Sequence, residues 1–395
     1  MSAGATASRV GQLEQRYLSA TFADLCRIES PSGSERACAE RVIAELRALG
    51  VSVEEDRAGE LTGSDCGNLL ARIPGRAGAG GEQARSVLLC AHLDTVPLQA
   101  AVEPVLRDGV WENANEGILG ADNKAAIAVM LALARHVARE SAPVDIELLF
   151  TVGEETALAG ARAFEVASLR SDFGYVFDNA SPIGEVIVDS PSHFRIQASF
   201  RGVAAHAGIR PELGRSAILA AARAVCALPL GRLDEAATVN VGTIAGGTAM
   251  NVVAEQCTLV GEVRALEDDR AESLVAEIID RVHEAANMPD CDCDVDVSVQ
   301  RSFAGYHLSR RSTAVQVAEA ALRACGHEPH AISSGGGSDA NALIAEGFQT
   351  VNLANGTERN HEPGERVSVA ALEQMLDVSL ALLDHAAAPS ADAAR

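Results

Sequence analysis

Seven acids and histidines between positions 92 and 361 could do chemistry together. They are His92 and Asp94 in Leu-Cys-Ala-His-Leu-Asp-Thr-Val-Pro, Asp122 in Gly-Ala-Asp-Asn-Lys, and Glu154-Glu155 in Phe-Thr-Val-Gly-Glu-Glu-Thr. Asp178 in Val-Phe-Asp-Asn and His361 in Asn-His-Glu-Pro-Gly complete the set. Carboxylate oxygens mixed with imidazoles, without paired thiolates at ligand spacing, suit a hydrolytic metal centre better than a structural zinc clip. A glutamate beside a ligand supplies the base that hydrolysis needs.

Each signal has an ordinary reading beside the chemical one. Residues two apart in extended chain point the same way, so Asp94 can approach His92, fix its tautomer and make it a better metal donor. Asp122 opens a helix, where Asp is a preferred N-cap. As a bridging carboxylate it would instead give one oxygen to each of two cations about 3.5–4 Å apart. Glu154 and Glu155 could be surface loop, but they follow an apolar strand and a glycine that permits a sharp turn. Their side chains diverge, so one can bind metal while the other acts as base. Asp178 also ends an apolar strand, and His361 lies in a loop where histidine is ordinarily just solvated. The weight of the set lies in its placement at the ends of strands, where open α/β sheets bind ligands.

The positioning elements follow from periodicity. Helices are predicted over 13–28, 34–50 and 122–139, and strands over 51–53, 69–73, 87–91, 146–152 and 175–177, with a hairpin loop at 78–81. Continuous apolar strands between helices predict an α/β sheet covered on both faces. Near residue 190 the pattern changes to strands at 193–200, 238–244, 257–263 and 295–299, with helices at 216–228 and 271–286. That is a small α+β, ferredoxin-like unit. Helices at 312–324, 339–345 and 369–385 and strands at 331–333 and 351–353 then resume the first pattern. Candidate ligands flank the insert, so 1–190 and 303–395 are expected to form one metal-binding domain around an inserted 191–302.

A chain of 395 residues with 48% hydrophobic and 3% aromatic residues can bury two aliphatic cores. Its formal charge of -23 argues against nucleic acid or an anionic membrane as partner. Cys26, Cys90, Cys226 and Cys257 sit in apolar sequence, while Cys291 and Cys293 read as a polar strand edge. Reduced thiols, no apolar signal-peptide core and no run of about 18 apolar residues together predict a cytoplasmic protein.

At these motifs the chain resembles the co-catalytic zinc peptidase family of peptidase T, carboxypeptidase G, bacterial dipeptidases and aminoacylases, and most of all the peptidase T branch. The likeness covers nearly the whole length and rests on Ala-His-Leu-Asp-Thr-Val, Gly-Ala-Asp-Asn-Lys-Ala-Ala-Ile-Ala, Gly-Glu-Glu-Thr and His-Glu-Pro-Gly. It implies two Zn2+ per subunit, with cobalt or manganese as substitutes. One zinc would be held by His92, Asp178 and Asp122, the other by Glu155, His361 and Asp122, with Glu154 as base and Asp94 orienting His92. Asp at 178 is the choice of the aminopeptidase and dipeptidase branches. Asn123 departs from the second aspartate usual in peptidase T relatives. The resemblance makes the insert a lid and possible homodimer interface. His206 in Arg-Gly-Val-Ala-Ala-His-Ala-Gly would polarise the scissile carbonyl, sometimes from the partner subunit. Asn251 and Arg264 would contact substrate backbone. The loop around Gly336 lacks the lysine of a phosphate loop and is expected to line the cleft with amides. The implied activity is cleavage of small peptides, a tripeptide aminopeptidase first. A deacylase of N-acyl amino acids, a carboxypeptidase and a non-catalytic binder are the alternatives.

Overall fold

The computed structural model describes residues 8–76 and 85–387, so the loop expected at 78–81 lies outside the described residues. By contacts the chain divides into two compact units. The first comprises Met1–Val188, His307–Ser334 and Ser338–Arg395; the second comprises Asp189–Tyr306 and Gly335–Gly337.

A nine-stranded mixed sheet forms the centre of the first unit. Asp145–Thr151, Ser86–His92, Phe173–Asn179 and Thr350–Ala354 lie side by side in that order, all parallel. Leu69–Ile73 adds to the first of them antiparallel. Every residue of Ser86–His92 is buried, as a strand covered on both faces requires. Val87, Leu89 and Ala91 join the main apolar core, while the alternate Cys90 reaches toward Asp339 of helix Asp339–Ala345, Sγ to Oδ2 3.8 Å. From Ser86–His92 the chain passes through helix Ala121–Glu140 to a strand on one side, and its next strand pairs on the other. Such a reversal leaves a crevice at the carboxyl ends of the two diverging strands. His92 ends one of them and Asp178 the other.

Ala121–Glu140 is apolar almost all round, the pattern of a helix sunk in a core. It packs against Gln12–Cys26 and Val369–Ala387. Its first turn departs from expectation. Asp122 and Asn123 have non-helical backbone angles, and no side chain caps the helix. Asp122 is therefore not spent on capping.

A small antiparallel sheet of Thr357–Glu358, Arg366–Ser368, Val110–Asn113 and Pro104–Arg107 was not legible in the sequence, because its strands are short and half exposed. Its first two strands brace the two ends of the loop carrying His361. The predicted 51–53 strand is found at Val53–Glu55.

In the second unit, apart from the short 3-10 turn Pro211–Leu213 and the two-residue strand Gly231–Arg232, elements run strand, helix, strand, strand, helix, strand, the ferredoxin-like sequence. The antiparallel sheet runs Gly231–Arg232, Ala237–Gly246, Gln256–Ala265, Ser192–Arg201, Asp294–Phe303. Phe194, Ile196, Ala198 and Phe200 alternate inward and share a core with helices Ala217–Ala227 and Asp268–Ala286. Cys291 and Cys293 belong to this core rather than to a polar edge, and Cys226 is exposed rather than apolar-packed. Among the described residues no helix is long and apolar enough to cross a membrane.

Tyr175 ties the central sheet to helix Thr313–Ala324 by donating its buried hydroxyl to the Ala314 carbonyl at 2.8 Å. Tyr175→Phe should cost about 1 kcal/mol, read as a lower urea midpoint at unchanged slope. An unchanged midpoint would contradict that tie.

Candidate metal centre

At the carboxyl edge of the parallel strands, His92 directs Nε2 toward Asp122 Oδ1 at 3.2 Å and Asp178 Oδ1 at 3.8 Å. Its other ring nitrogen lies 3.1 Å from the Asp94 carbonyl and 3.4 Å from Asp94 Oδ1. Both acceptors call for the proton on Nδ1, which leaves Nε2 as a donor to a cation. On the opposite side of Asp122, His361 Nε2 stands 3.3 Å from Oδ2 and 2.9 Å from Glu155 Oε1. His361 adopts a left-handed backbone, φ 66°, an uncommon conformation for a non-glycine residue.

Among the described residues, three sets of donor atoms each converge within 4.8 Å: His92, Asp122 and Asp178; Asp122, Glu155 and His361; and His92, Glu154 and Glu155. Asp122 belongs to two of them, through different oxygens.

The charges here are unbalanced. Burial raises Glu154 well above the usual carboxylate range, and the Asp178 charge adds to it. Burial and then Asp122 push Asp178 up to about 7. Burial would also raise Asp122, but the His361 and His92 imidazoles outweigh it and hold it low. Asp122 and Glu155 push His361 up to about 10. Burial opposes protonation of His92, yet Asp122, Asp178 and Asp94 together hold it well above its ordinary value. Carboxylates crowded this closely draw in positive charge, as protons or as cations. The oxygen and nitrogen donor set fits divalent zinc, cobalt or manganese.

Several supporting residues escaped sequence reasoning. Asn360 donates Nδ2 to Asp122 Oδ2 at 2.8 Å. Glu365 accepts three backbone N–H bonds around Asp122: Leu119 at 2.8 Å, Gly120 at 2.7 Å and Asp122 at 2.9 Å. Asn352 pairs through its side-chain amide with the Asp178 backbone, at 3.0 and 2.9 Å. Their only sequence signal was nearness to a candidate: Asn360 and Glu365 flank His361, and Asn352 lies in the predicted strand before it.

The remaining candidates lie in the second unit and form two groups. His206 and Asn251 are neighbours: Ala207 N–H donates to the Asn251 carbonyl at 3.0 Å, and the exposed His206 ring accepts from Gly208 N–H at 3.2 Å. Arg264 donates to the Gly335 carbonyl at 3.3 Å and to Glu262 Oε1 at 3.1 Å. Gly336, next in that loop, accepts the Ser190 hydroxyl through its carbonyl at 3.0 Å.

The model of peptidase family M20/M25/M40 matches residues 88–385. The Bacillus subtilis protein YqjE is 32% identical over 376 residues, 95% of this chain and 100% of its own length. The crystal structure of aminopeptidase PepT from Bacillus cereus is similar at TM-score 0.83 and 32% identity, covering 95% of this chain and 99% of that one. A tripeptidase from Staphylococcus aureus is similar at TM-score 0.87 and 30% identity, covering 94% and 98%.

The Arg264 group carries its own pH signature. His193 holds the Glu262 carboxyl down at about 2, against the effect of burial and with help from Arg264. A depressed carboxyl stabilises the fold fully above its ordinary 4.5 and loses that contribution as pH falls toward about 2. The stability gap between wild type and Glu262→Gln should therefore narrow as pH falls from 5.5 to 3. A gap of equal size at both pH values would contradict this account.

Proposed function

The chain belongs to peptidase family M20/M25/M40, and from that premise we propose that it is a zinc-dependent exopeptidase of short peptides, a tripeptide aminopeptidase. The observation that carries the reading is the position of Asp122, whose two oxygens serve separate histidine-containing donor sets. Near full-length likeness to an aminopeptidase and a tripeptidase supports the choice of substrate.

His92, Asp178 and Asp122 would hold one cation, and Glu155, His361 and Asp122 the other. Bound there, two divalent cations supply Lewis-acid charge for the scissile carbonyl and for activation of the attacking water. Asp94 keeps the proton of His92 on Nδ1. Glu154, on the turn beside Glu155, takes a proton from the attacking water and delivers it to the leaving amine nitrogen. His206 is assigned as the donor to the developing oxyanion, a role worth about 2.7–4 kcal/mol. Asn251, Arg264 and the Gly336 loop are assigned to the substrate backbone. Asn123 is no ligand in this scheme, so its replacement of the usual aspartate is compatible with activity. A cytoplasmic enzyme, with a homodimer formed through the second unit, completes the proposal.

Glu154→Gln should retain bound zinc and lower kcat by about 10²- to 10⁴-fold; unaffected turnover would remove Glu154 from the mechanism. On a panel of di- and tripeptides, cleavage should require a free N-terminus. Cleavage confined to N-blocked substrates would identify a deacylase instead, and release of C-terminal residues a carboxypeptidase.

A further inference from the structure

Where the chain leaves the strand Asp145–Thr151, four consecutive backbone N–H groups point away from any strand partner. All four are taken up by side chains. Val152 donates to Asn68 Oδ1 at 3.1 Å, Gly153 to Glu35 Oε1 at 3.1 Å, Glu154 to Asp94 Oδ1 at 3.0 Å and Glu155 to Asp94 Oδ2 at 3.2 Å. Asp94 is explained by its place behind His92. Glu35 is not. It comes from Ser-Pro-Ser-Gly-Ser-Glu, far from every candidate ligand in sequence, and is 0% exposed.

A buried carboxylate is costly unless it is hydrogen-bonded, and both oxygens of Glu35 accept. Besides Gly153, its Oε1 accepts Gly33 N–H at 3.0 Å, and its Oε2 accepts the Ser64 hydroxyl at 2.6 Å. Among the described residues it belongs to none of the candidate metal-donor sets. Its hydrogen-bonded link to the chemistry is Gly153, whose φ of 59° makes the bend that separates the strand from Glu154. We propose that Glu35 is a positioning residue: together with Asp94 and Asn68 it clamps the 152–155 turn, and so sets where the Glu154 carboxylate stands. Without that acceptor the Gly153 amide is orphaned and the turn loses one of the four bonds from its N–H groups to side chains. Displacement of a reacting group by about 1 Å is enough to cost about 10²-fold in rate. The inference rests on the reading of Glu154 as the base.

The test uses the full-length zinc-loaded enzyme for kinetics and the metal-free protein for amide hydrogen exchange. In Glu35→Ala, kcat on a tripeptide should fall about 10- to 100-fold, while KM and zinc content stay at wild-type values. Exchange at Gly153 should accelerate. Glu35→Gln keeps an Oε1 acceptor and should return kcat to within about threefold of wild type. A purely structural role would instead lower kcat, zinc content and unfolding midpoint together, without rescue by Gln. That pattern, or unchanged Gly153 exchange, or wild-type kcat in Glu35→Ala, would overturn the proposal. Should Glu35→Ala fail to fold, Ser64→Ala frees one side of the clamp and should shift kcat and exchange the same way by a smaller factor; no shift in either would overturn it. A wild-type enzyme that cleaves no peptide with zinc would sink the peptidase reading alone, since the exchange measurement judges the clamp independently.

Discussion

Asp122 stands between two imidazoles, with one oxygen facing His92 and the other facing His361. A carboxylate in that position, almost fully buried, must have both oxygens satisfied and its own backbone fixed. Asn360 steadies one oxygen, and Glu365 gathers the three N–H groups that carry the loop. Remove the positive partners and the neighbouring acids repel one another. The rest of the first unit can be understood as the apparatus that brings those partners to one point.

The sheet does this by topology rather than by sequence proximity. Four parallel strands present their carboxyl ends on one edge, and the order in which the chain visits them opens a crevice beside His92 and Asp178. A single helix, Ala121–Glu140, returns the chain from His92 and delivers Asp122 at its start. Small residues along that helix let Gln12–Cys26 and Val369–Ala387 pack on it, so the element bearing Asp122 is anchored in the largest apolar core. The recurring local device is a carboxylate that accepts consecutive backbone N–H groups, Glu365 at one loop and Asp94 with Glu35 at another.

The parts legible in the sequence were those with a pattern. Runs such as Val87–Ala91 and Leu148–Phe150 are apolar throughout because both faces are covered, and the ends of their strands marked where polar chemistry could sit. Asp122 read two ways, as cap or as ligand. Backbone angles decide against the cap, and its oxygens turn to the histidines. Glu35 and Glu365 had no pattern to find. Each acts on backbone N–H groups more than a hundred positions away, and nothing in a local window separates such an acid from a solvated one. The hairpin Pro104–Asn113 was invisible for a related reason: its strands are partly exposed on both faces and carry no alternation.

Zinc stoichiometry of the wild type and of Asp122→Ala, after dialysis against trace metal, tests the shared carboxylate most directly. Two zinc ions per chain in the wild type and loss of both tight sites in the variant are the predicted result. Two ions retained without Asp122, or a wild type that holds none, would contradict it.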